Sequence, residues 1–380
     1  MNPGMAVKLR PTEPWRIGPA SGARNRVDVI YHSDSLYSAV TLALARMGSL
    51  EEWLDATVRA ATPAVRFSSC FPFVEEIGFV VPPRTIWPPA GSALALSRVR
   101  WKSARFVPLG IVQALLAGQT LDENQWSIDG PSDCLVPAGR PGPFRTGIRW
   151  AAAVDRLTGA SERHSTACIE FRPGAGLWAI VGFADDAARE RWADPVKAAF
   201  RLLADSGFGG ERSRGWGRAE QPEFVQGTLP EMIVGAAPTP PPAAESSEET
   251  PLPNGRGSET PSEPRPLGCG NGLQPHWLLS LFVPAPDDAV EWSSGNYTVV
   301  TRAGRVESSA GSGELKKQLQ MVEEGSVLIA SAAPRGAAPD VAPDGFSHPV
   351  FRAGFALSIP LAPQQAKTGL AGGPALPEAR

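Results

Sequence analysis

A glycine-rich segment with arginines constrains this chain more than any other stretch. Its glycines follow a Gly-x-Gly-x5-Gly-x-Gly spacing across residues 207–217, and Trp216 stands between the last two of them. Three arginines, Arg212, Arg214 and Arg218, lie within or directly after the segment. Such a loop turns sharply, lets its backbone approach a bulky group, and offers cations beside an aromatic face. A phosphate-rich polymer with exposed bases would use all three properties.

The flanking residues predict where this loop lies. Asp194 and Pro195 are typical of a helix N-cap and first turn, and apolar residues then recur at helical spacing up to Ser206. Residues 219–225 predict a short strand, so the loop joins a helix C-terminus to a strand. A dinucleotide-binding loop opens a helix instead, and a Walker A loop needs lysine where Trp216 stands, which excludes both. A structural connection around a buried tryptophan is the alternative to a ligand-binding loop.

The helix, the glycine-rich loop and the strand resemble the signature of the RAMP superfamily, the repeat-associated RNA-binding proteins of CRISPR systems. Four further blocks are similar to the subunit of type III-A (Csm) effector complexes that holds the 5′ end of the guide RNA. In order, they are residues 32–39, 154–159, 321–326 and 348–354. The loop alone indicates only the superfamily, whereas the ordered set of blocks points more specifically to this subunit.

The resemblance implies an α+β fold of two ferredoxin-like (RRM-like) RAMP domains that carry the glycine-rich loop. We predict an N-terminal domain over residues 1–226 and a flexible, Pro/Ser/Glu-rich linker over 227–273, which lacks periodicity. A degenerate ferredoxin-like domain over 274–361 and a loose tail over 362–380 would follow. Within the second domain, the spacing of the apolar residues predicts a helix over 313–324.

The best amphipathic helix begins near the first of these blocks. Apolar residues from Leu36 to Met47 form one stripe, with Ser33 or Ser35 as the N-cap and Gly48 at the end. Unpaired N–H groups at a helix N-terminus attract phosphate, so this helix start is a candidate RNA contact.

His32 directly precedes this helix and has two interpretations. In RAMP processing endonucleases a histidine acts as general acid or base, which requires a pKa near neutrality and a partner that activates the 2′-hydroxyl. Alternatively, His32 caps or packs against the helix, or contacts RNA without chemistry. No second histidine, tyrosine or lysine forms a set with it, so we expect no catalytic residue. We expect Asp34 to cap the helix rather than bind a metal.

Residues 144–180 predict two strands joined by a turn at 155–160. The resemblance implies that this hairpin projects toward the guide RNA; the alternative is an exposed hairpin whose charges keep its edge soluble. We expect RNA contacts from the helix start, the hairpin, the glycine loop and two cations of the second domain. The expected RNA-binding residues are His32, Ser33, Asp34, Arg145, Arg149, Arg156, Gly207, Phe208, Gly209, Gly210, Arg212, Ser213, Arg214, Gly215, Trp216, Gly217, Lys316 and Arg352.

The resemblance implies a non-catalytic subunit that caps the repeat-derived 5′ handle of the CRISPR RNA (crRNA). Its implied partners are this handle, the large signalling subunit and the RAMP backbone subunit. A metal-independent endoribonuclease that processes the precursor RNA through His32 is the first alternative. The others are an architectural subunit whose loop contacts only protein, and the equivalent subunit of another type III complex.

Charge and cysteine content limit how such a chain could work. The formal net charge is −3, and removing the predicted linker takes away six of 39 acidic and two of 36 basic residues, which leaves the rest near neutral. RNA affinity grows with the number of phosphates neutralised, so binding requires a local basic groove or partner subunits. The four cysteines lack metal-ligand spacing and no apolar run is long enough to cross a bilayer. We therefore expect a reduced, cytoplasmic protein without zinc, cofactor or membrane partner.

Overall fold

The computed structural model describes residues 2–19, 22–89, 101–235, 272–308 and 311–362. The helices and strands up to residue 235 are, in chain order, β1 (Asn2–Leu9), α1 (Ser33–Arg46), α2 (Leu50–Ala56), β2 (Val65–Phe67), β3 (Phe71–Val74), β4 (Ile77–Val80), β5 (Val107–Pro108), α3 (Leu109–Leu116), β6 (Trp126–Asp129), β7 (Cys134–Pro137), β8 (Phe144–Val154), β9 (Ser161–Phe171), β10 (Ala175–Phe183), α4 (Asp186–Ser206), β11 (Glu223–Leu229) and α5 (Glu231–Val234). The later strands are β12 (Gln274–Leu278), β13 (Val290–Asn296), β14 (Val299–Arg302), β15 (Arg305–Ser308), β16 (Gly311–Leu315), β17 (Leu319–Val322), β18 (Val327–Ala330) and β19 (Ser358–Pro360).

A seven-stranded sheet organises the N-terminal half, with the order β11-β1-β10-β3-β4-β5 and β2 also paired to β10. β1 pairs antiparallel with β10 on one side and with β11 on the other. Helices α1 and α4 pack against each other and against this sheet. The succession β1–α1–β3–β10–α4–β11 is the β-α-β-β-α-β order of a ferredoxin-like unit. The fold predicted for the first half is therefore confirmed.

The burial of the central strands follows from their sequence. Met5, Val7 and Leu9 of β1 are fully buried, as the alternation of apolar residues predicts. All nine residues of β10 are buried, and this strand is an almost continuous apolar run. A strand covered on both faces requires such a run, since neither set of side chains meets water.

The second half is built from strands alone in residues 272–308 and 311–362. Its main sheet has the order β13-β18-β12-β19, and β14–β17 and β15–β16 form separate pairs. The helix predicted over residues 313–324 is wrong, because β16 and β17 occupy that stretch. The Lys316 N–H donates to the Gly304 carbonyl, and β17 pairs with β14. Pairing with distant strands outweighs the local helical spacing, so the degenerate second domain has its strands but not the predicted helix.

Helix α4 begins earlier than the sequence predicts. Its N-cap is Asp185, whose carboxylate accepts a hydrogen bond from the Ala188 N–H at 2.7 Å, so Pro195 lies inside the helix. Trp192 and Ala193 on the turn before the proline are buried, and their packing offsets the hydrogen bond that proline removes. No helix in the described part of the chain combines the length and apolarity needed to cross a membrane.

The predicted linker begins later than expected. β11 runs to Leu229 and α5 follows it, so the first residues of the predicted linker are ordered structure. The rest of that segment, residues 236–271, and the predicted tail from residue 363 lie outside the described residues. The division into two domains stays a prediction.

One hydrophobic core extends across both halves of the chain. Trp53 and Phe200 of the first half and Trp277 of the second belong to the same cluster of buried side chains. The Trp277 indole N–H donates to the Val81 carbonyl oxygen at 3.2 Å. The halves therefore bury apolar surface against each other, which favours their docking.

We expect acid to weaken the folded state through His276. This side chain is 2% exposed, and neither ring nitrogen has a hydrogen-bond partner among the described residues. Burial lowers the pKa of His276. Because the unfolded chain then binds the proton more tightly, the free energy of unfolding should fall as the pH drops below about 6.5.

Thermal unfolding of the wild type and of His276→Leu, from neutral pH to about pH 5, measures this effect. We expect a smaller fall in Tm for the variant, because leucine cannot take up a proton. The exposed His348 provides the control, and His348→Leu should keep the wild-type slope. An equal fall in Tm for His276→Leu and wild type would contradict the assignment.

Candidate nucleic-acid interface

The glycine loop, residues 207–217, starts at the C-terminus of α4 as predicted. Gly207 caps the helix with φ 93°, and its N–H donates to the Leu203 carbonyl. The next residue, Phe208, is 1% exposed, and its ring stacks on Trp15 with centroids 5.0 Å apart. Phe208 was expected to contact RNA, but its burial gives it a core role and opposes that contact.

The glycines of this loop permit close approach within the protein itself. A Cβ at Gly209 would lie 2.4 Å from the Arg16 carbonyl oxygen, and one at Gly217 would lie 2.0 Å from the Phe208 carbonyl oxygen. The Gly217 N–H donates to the Pro14 carbonyl at 3.0 Å. We expected these glycines to bring the backbone near a phosphodiester chain. Their close contacts instead hold the loop against the backbone around residue 15.

The outer part of the loop faces solvent. Residues Arg212–Arg214 form one 3₁₀ turn between Glu211 and Gly215, both in the left-handed region. Ser213 is exposed, and a Cβ at Gly215 would meet nothing within 4 Å. Trp216 is half-buried, so it is neither a fully buried core residue nor a fully exposed stacking face. Because the inner glycines hold the loop and the outer turn is open, its arginines are presented on a rigid support.

The predicted hairpin is present as β8 and β9, which pair over their whole length. Its second strand ends at Phe171, and residues 175–180 of the predicted stretch belong to β10 of the main sheet. Arg145 and Arg149 of β8 are exposed, and Arg156 lies exposed in the turn. The Asp155 carboxylate accepts from the Leu157 N–H at 2.9 Å and from the Thr158 hydroxyl at 2.7 Å, which holds the turn. Leu157 is 96% exposed at the tip.

The two faces of the hairpin differ in chemistry. Ile148, Trp150 and Val154 are all more than half exposed and alternate along β8, so they share one face. The Arg163 guanidinium lies 5.2 Å from the centroid of the Trp150 ring on that face. The register pairs Ala151 with His164, which puts His164 on the other face with Arg145 and Arg149.

The hairpin and the glycine loop meet at one contact. The Arg214 guanidinium lies 2.9 Å from His164 Nε2, although 50 residues separate them. Arg16 strengthens this junction, because it pairs with Gly210 in a β-bridge and donates to the Ala167 carbonyl of β9 at 3.0 Å. We call the resulting surface the basic face and define it as Arg145, Arg149, His164, Arg212 and Arg214.

The residues expected at the start of α1 are buried. His32, Ser33 and Asp34 are 3%, 5% and 2% exposed. The helix N-cap is His32, not Ser33 or Ser35 as predicted, and it makes no side-chain cap. The Ser33 hydroxyl instead accepts from the Leu281 N–H at 3.0 Å. Direct RNA contact by these side chains stays a prediction, and their burial opposes it.

Asp34 forms a buried ion triad with two arginines of the C-terminal half. Its carboxylate accepts from Arg302 Nε at 3.2 Å and Nη2 at 3.0 Å, and it also pairs with Arg352. Burial alone would raise the pKa of Asp34, but the charges of Arg302 and Arg352 hold it well below its usual range. Arg352 was expected to contact RNA, which its burial opposes. Asp34 was expected to cap α1, and besides forming the triad its carboxylate accepts from the Ser35 N–H in the first turn of that helix at 2.7 Å.

His32 lies between two carboxylates. Nδ1 is 2.8 Å from Glu324 and Nε2 is 3.0 Å from Asp28. Burial alone would lower the pKa of His32, but the charge of Glu324 and the hydrogen bond to Asp28 raise it to about 9. Both ring nitrogens are engaged, so the imidazole has no free lone pair near neutral pH for general-base chemistry.

The remaining expected contact, Lys316, is half-buried near this cluster. Burial, followed by the charge of Arg352, lowers the pKa of Lys316. Among the described residues, no group of three or more histidines, cysteines, aspartates or glutamates is arranged to hold a metal ion.

Sequence reasoning missed the residues that connect these parts. His164 carried no assigned chemistry, and neither Glu324 nor Arg302 stood out. Their partners lie 50 to 292 residues away. The two-residue alternation in β9 could have grouped His164 with Glu170 on one face, but no local signal indicates the partners of Glu324 and Arg302.

The ferredoxin-like unit, whose second helix leads through a glycine-rich loop into the last strand, is the arrangement that the resemblance to the RAMP superfamily implies. Residues 272–361, about a quarter of the chain, match the family model described as the CRISPR Csm4 C-terminal domain. This match lies within the half where the structure has strands β12 to β19. It confirms the resemblance to a type III-A subunit for the C-terminal part.

Solved structures extend the likeness to the whole fold. A chain of the Csm3–Csm4 subcomplex of the type III-A CRISPR–Cas interference complex aligns with a TM-score of 0.57 and 14% identity, covering 94% of this chain and 100% of that one. A chain of the Csm1–Csm4 cassette in complex with cA4 aligns with a TM-score of 0.51 and 16% identity, covering 95% and 98%. No curated protein matches in sequence. The chain therefore has a Csm4-like RAMP fold.

We expect Asp34→Asn to destabilise the protein strongly. The change leaves Arg302 and Arg352 buried without a countercharge, and breaking a buried ion pair costs about 3–5 kcal/mol. Urea unfolding measures the change in the free energy of unfolding. Asp194→Asn is the control, because Asp194 is 89% exposed in its pair with Lys197, and that pair should contribute less than about 1 kcal/mol. Equal losses in the two variants would contradict a structural role for the triad.

Two glycine variants separate the contribution of the closely packed inner glycines to stability from that of the outer turn. In Gly217→Ala the new methyl group would collide with the Phe208 carbonyl, and overpacking with backbone strain should cost about 3 kcal/mol or more. In Gly215→Ala the space is open at a similar φ, so only the left-handed backbone should cost about 1–2 kcal/mol. Guanidinium unfolding compares the two. A larger loss in the free energy of unfolding for Gly215→Ala would contradict the role of close packing at Gly217.

Proposed function

We propose that this chain is a non-catalytic RNA-binding subunit of a type III-A CRISPR effector complex, one that holds the 5′ repeat-derived handle of the crRNA. The observation that carries the proposal is the contact of Arg214 with His164. It joins the glycine loop and the hairpin, the two segments that the family resemblance assigns to RNA, into one basic face. A chain that is near neutral outside the linker needs such a local concentration of cations to bind a polyanion.

The other face of the hairpin adds groups that suit single-stranded RNA. Trp150 is 64% exposed and carries Arg163 above its ring, while Leu157 stands free at the tip. Exposed aromatic rings and guanidinium planes stack on unpaired bases, so this face supports contact with a splayed strand. The turn that presents Arg156 and Leu157 is held by Asp155, which keeps the tip ordered before RNA arrives.

The proposed partners follow from the structures that this fold resembles. Their names pair Csm4 with Csm1 and with Csm3. We propose that this chain likewise links a large Csm1-type subunit to a Csm3-type backbone subunit, in the cytoplasm. Both alignments cover at least 98% of the solved chain, so no large part of that chain lacks a counterpart here.

The nuclease alternative is less well supported. A histidine that acts as a base must be neutral and must reach the substrate. His32 is 3% exposed, and the two carboxylates raise its pKa to about 9. These observations favour a structural histidine over a catalytic one. The equivalent subunit of another type III complex, and an architectural subunit without RNA contact, remain as outcomes of the experiment below.

A binding and cleavage assay tests the proposal. The full chain, alone and with Csm1-type and Csm3-type partners, is mixed with labelled RNA that carries the 5′ handle or a scrambled sequence. We expect handle-dependent binding without cleavage, and about tenfold or greater weakening for Arg212→Ala/Arg214→Ala, because phosphate contacts dominate affinity. Arg59→Ala/Arg191→Ala removes the same charge from exposed pairs on α4 and after α2 and is the matched control.

Other results would support the alternatives. Cleavage that persists in EDTA and disappears in His32→Gln would identify a processing nuclease. Absence of RNA binding in every assembly would leave the architectural role. Equal weakening by the control variant would show that total charge, not the glycine loop, governs binding.

A further inference from the structure

The cations of the basic face are paired with carboxylates of this same chain. The four arginines of the face, Arg145, Arg149, Arg212 and Arg214, each contact a glutamate. By contrast, Arg156 at the hairpin tip has no ion-pair partner among the described residues. Exposed arginines elsewhere, such as Arg59 and Arg191, also pair with carboxylates, so the distinguishing feature of the face is that all four of its arginines are paired.

Glu170 forms ion pairs with two of these arginines. Its carboxylate lies 2.9 Å from Arg145 Nη2 and 2.5 Å from Arg149 Nη2. Gly147 stands between the two arginines on the same face of β8, and a Cβ there would come within 3.2 Å of the Glu170 carboxyl carbon. The absence of a side chain at this position leaves the space through which Glu170 bridges the pair.

Two further glutamates serve the glycine loop. Glu211 Oε2 lies 3.2 Å from Arg214 Nε, within the loop itself. Glu307 of β15 pairs with Arg212 from the other half of the chain. The three glutamates come from β9, the loop and β15, so the pattern does not arise from one run of acidic sequence.

We propose that Glu170, Glu211 and Glu307 act as a carboxylate screen that RNA phosphates must displace from the basic face. The inference rests on the proposed function and adds a determinant of specificity to it. A generic RNA strand must exchange each protein carboxylate for a phosphate, and this exchange yields little net attraction. The correct handle gains additional contacts from bases and shape, so it alone displaces the screen efficiently.

The exposure of these pairs makes such an exchange feasible. The side chains of Arg145, Arg149 and Arg214 are 71%, 56% and 40% exposed, so a phosphate can reach these cations from solvent, whereas Glu170 and Glu211 are 18% and 16% exposed. In the fourth pair Arg212 is 31% and Glu307 55% exposed. Ion pairs whose cation faces solvent contribute little to stability, so exchanging the carboxylate for a phosphate costs the fold little. The buried triad at Asp34, in contrast, is inaccessible to phosphate and is not part of the screen.

The test is the variant Glu170→Gln/Glu211→Gln/Glu307→Gln, which keeps the side-chain shapes and removes three negative charges. Its control is Glu51→Gln/Glu52→Gln/Glu76→Gln, which makes the same charge change at exposed ion pairs on α2 and at the β3–β4 turn. Fluorescence anisotropy with handle and scrambled RNA, at about 50 to 200 mM salt, gives affinities and salt slopes.

We expect the screen variant to bind scrambled RNA about tenfold more tightly than wild type. The slope of the logarithm of the binding constant against the logarithm of the salt concentration should be steeper by about 2 to 3, because four arginines are freed. Handle RNA should gain less, so discrimination should fall. The control should bind both RNAs as wild type does. If the screen variant discriminated between handle and scrambled RNA as wild type does, or if the control gained as much affinity, the screen would be overturned. Handle binding by the wild type would still support the proposed function in either case. Absence of binding to either RNA by every protein would overturn both.

Discussion

The buried ionic cluster between the start of α1 and the C-terminal half is the constraint on which the rest of the structure depends. Asp34 faces Arg302 and Arg352, and Glu324 faces His32, all with little or no exposure to water. Each charge is tolerated only because its partner is present, and these partners come from opposite halves of the chain. Undocking the halves would leave charges uncompensated at the same time as it exposed the shared core around Trp277. The cluster therefore fixes where α1 begins and how the two halves meet.

The glycine loop depends on a second internal constraint. Its inner glycines approach the backbone around Trp15 so closely that no side chain fits, and Phe208 anchors the loop in the core. The loop is thus held from inside, and only its outer turn is open to a ligand. This arrangement reconciles the two interpretations that the sequence left open: the segment is a structural connection at its base and a presenting surface at its tip.

The basic face combines segments that are remote in sequence. β8 and β9 carry Arg145, Arg149 and His164, and the loop carries Arg212 and Arg214. β15 contributes an acidic partner from beyond the predicted linker. A protein with a net charge of −3 can thereby present a concentrated set of cations while carboxylates moderate their attraction for any polyanion. In the proposed RNA-binding role, affinity and selectivity would depend on this geometry rather than on total charge.

The sequence by itself determined the elements whose signals are local: the alternation of β1, the apolar run of β10, the paired strands of the hairpin, and the glycine spacing that ends α4. It misassigned residues 313–324, where β17 pairs with the distant β14, and it misplaced the start of α4, where packing of Trp192 outweighs a proline signal. Only the tertiary structure decided that Asp34 and Arg352 are buried partners, that Phe208 belongs to the core, and that Glu170 and Glu307 face the arginines. Ion pairs and burial depend on which distant residues are brought together, and neither composition nor spacing along one segment carries that information.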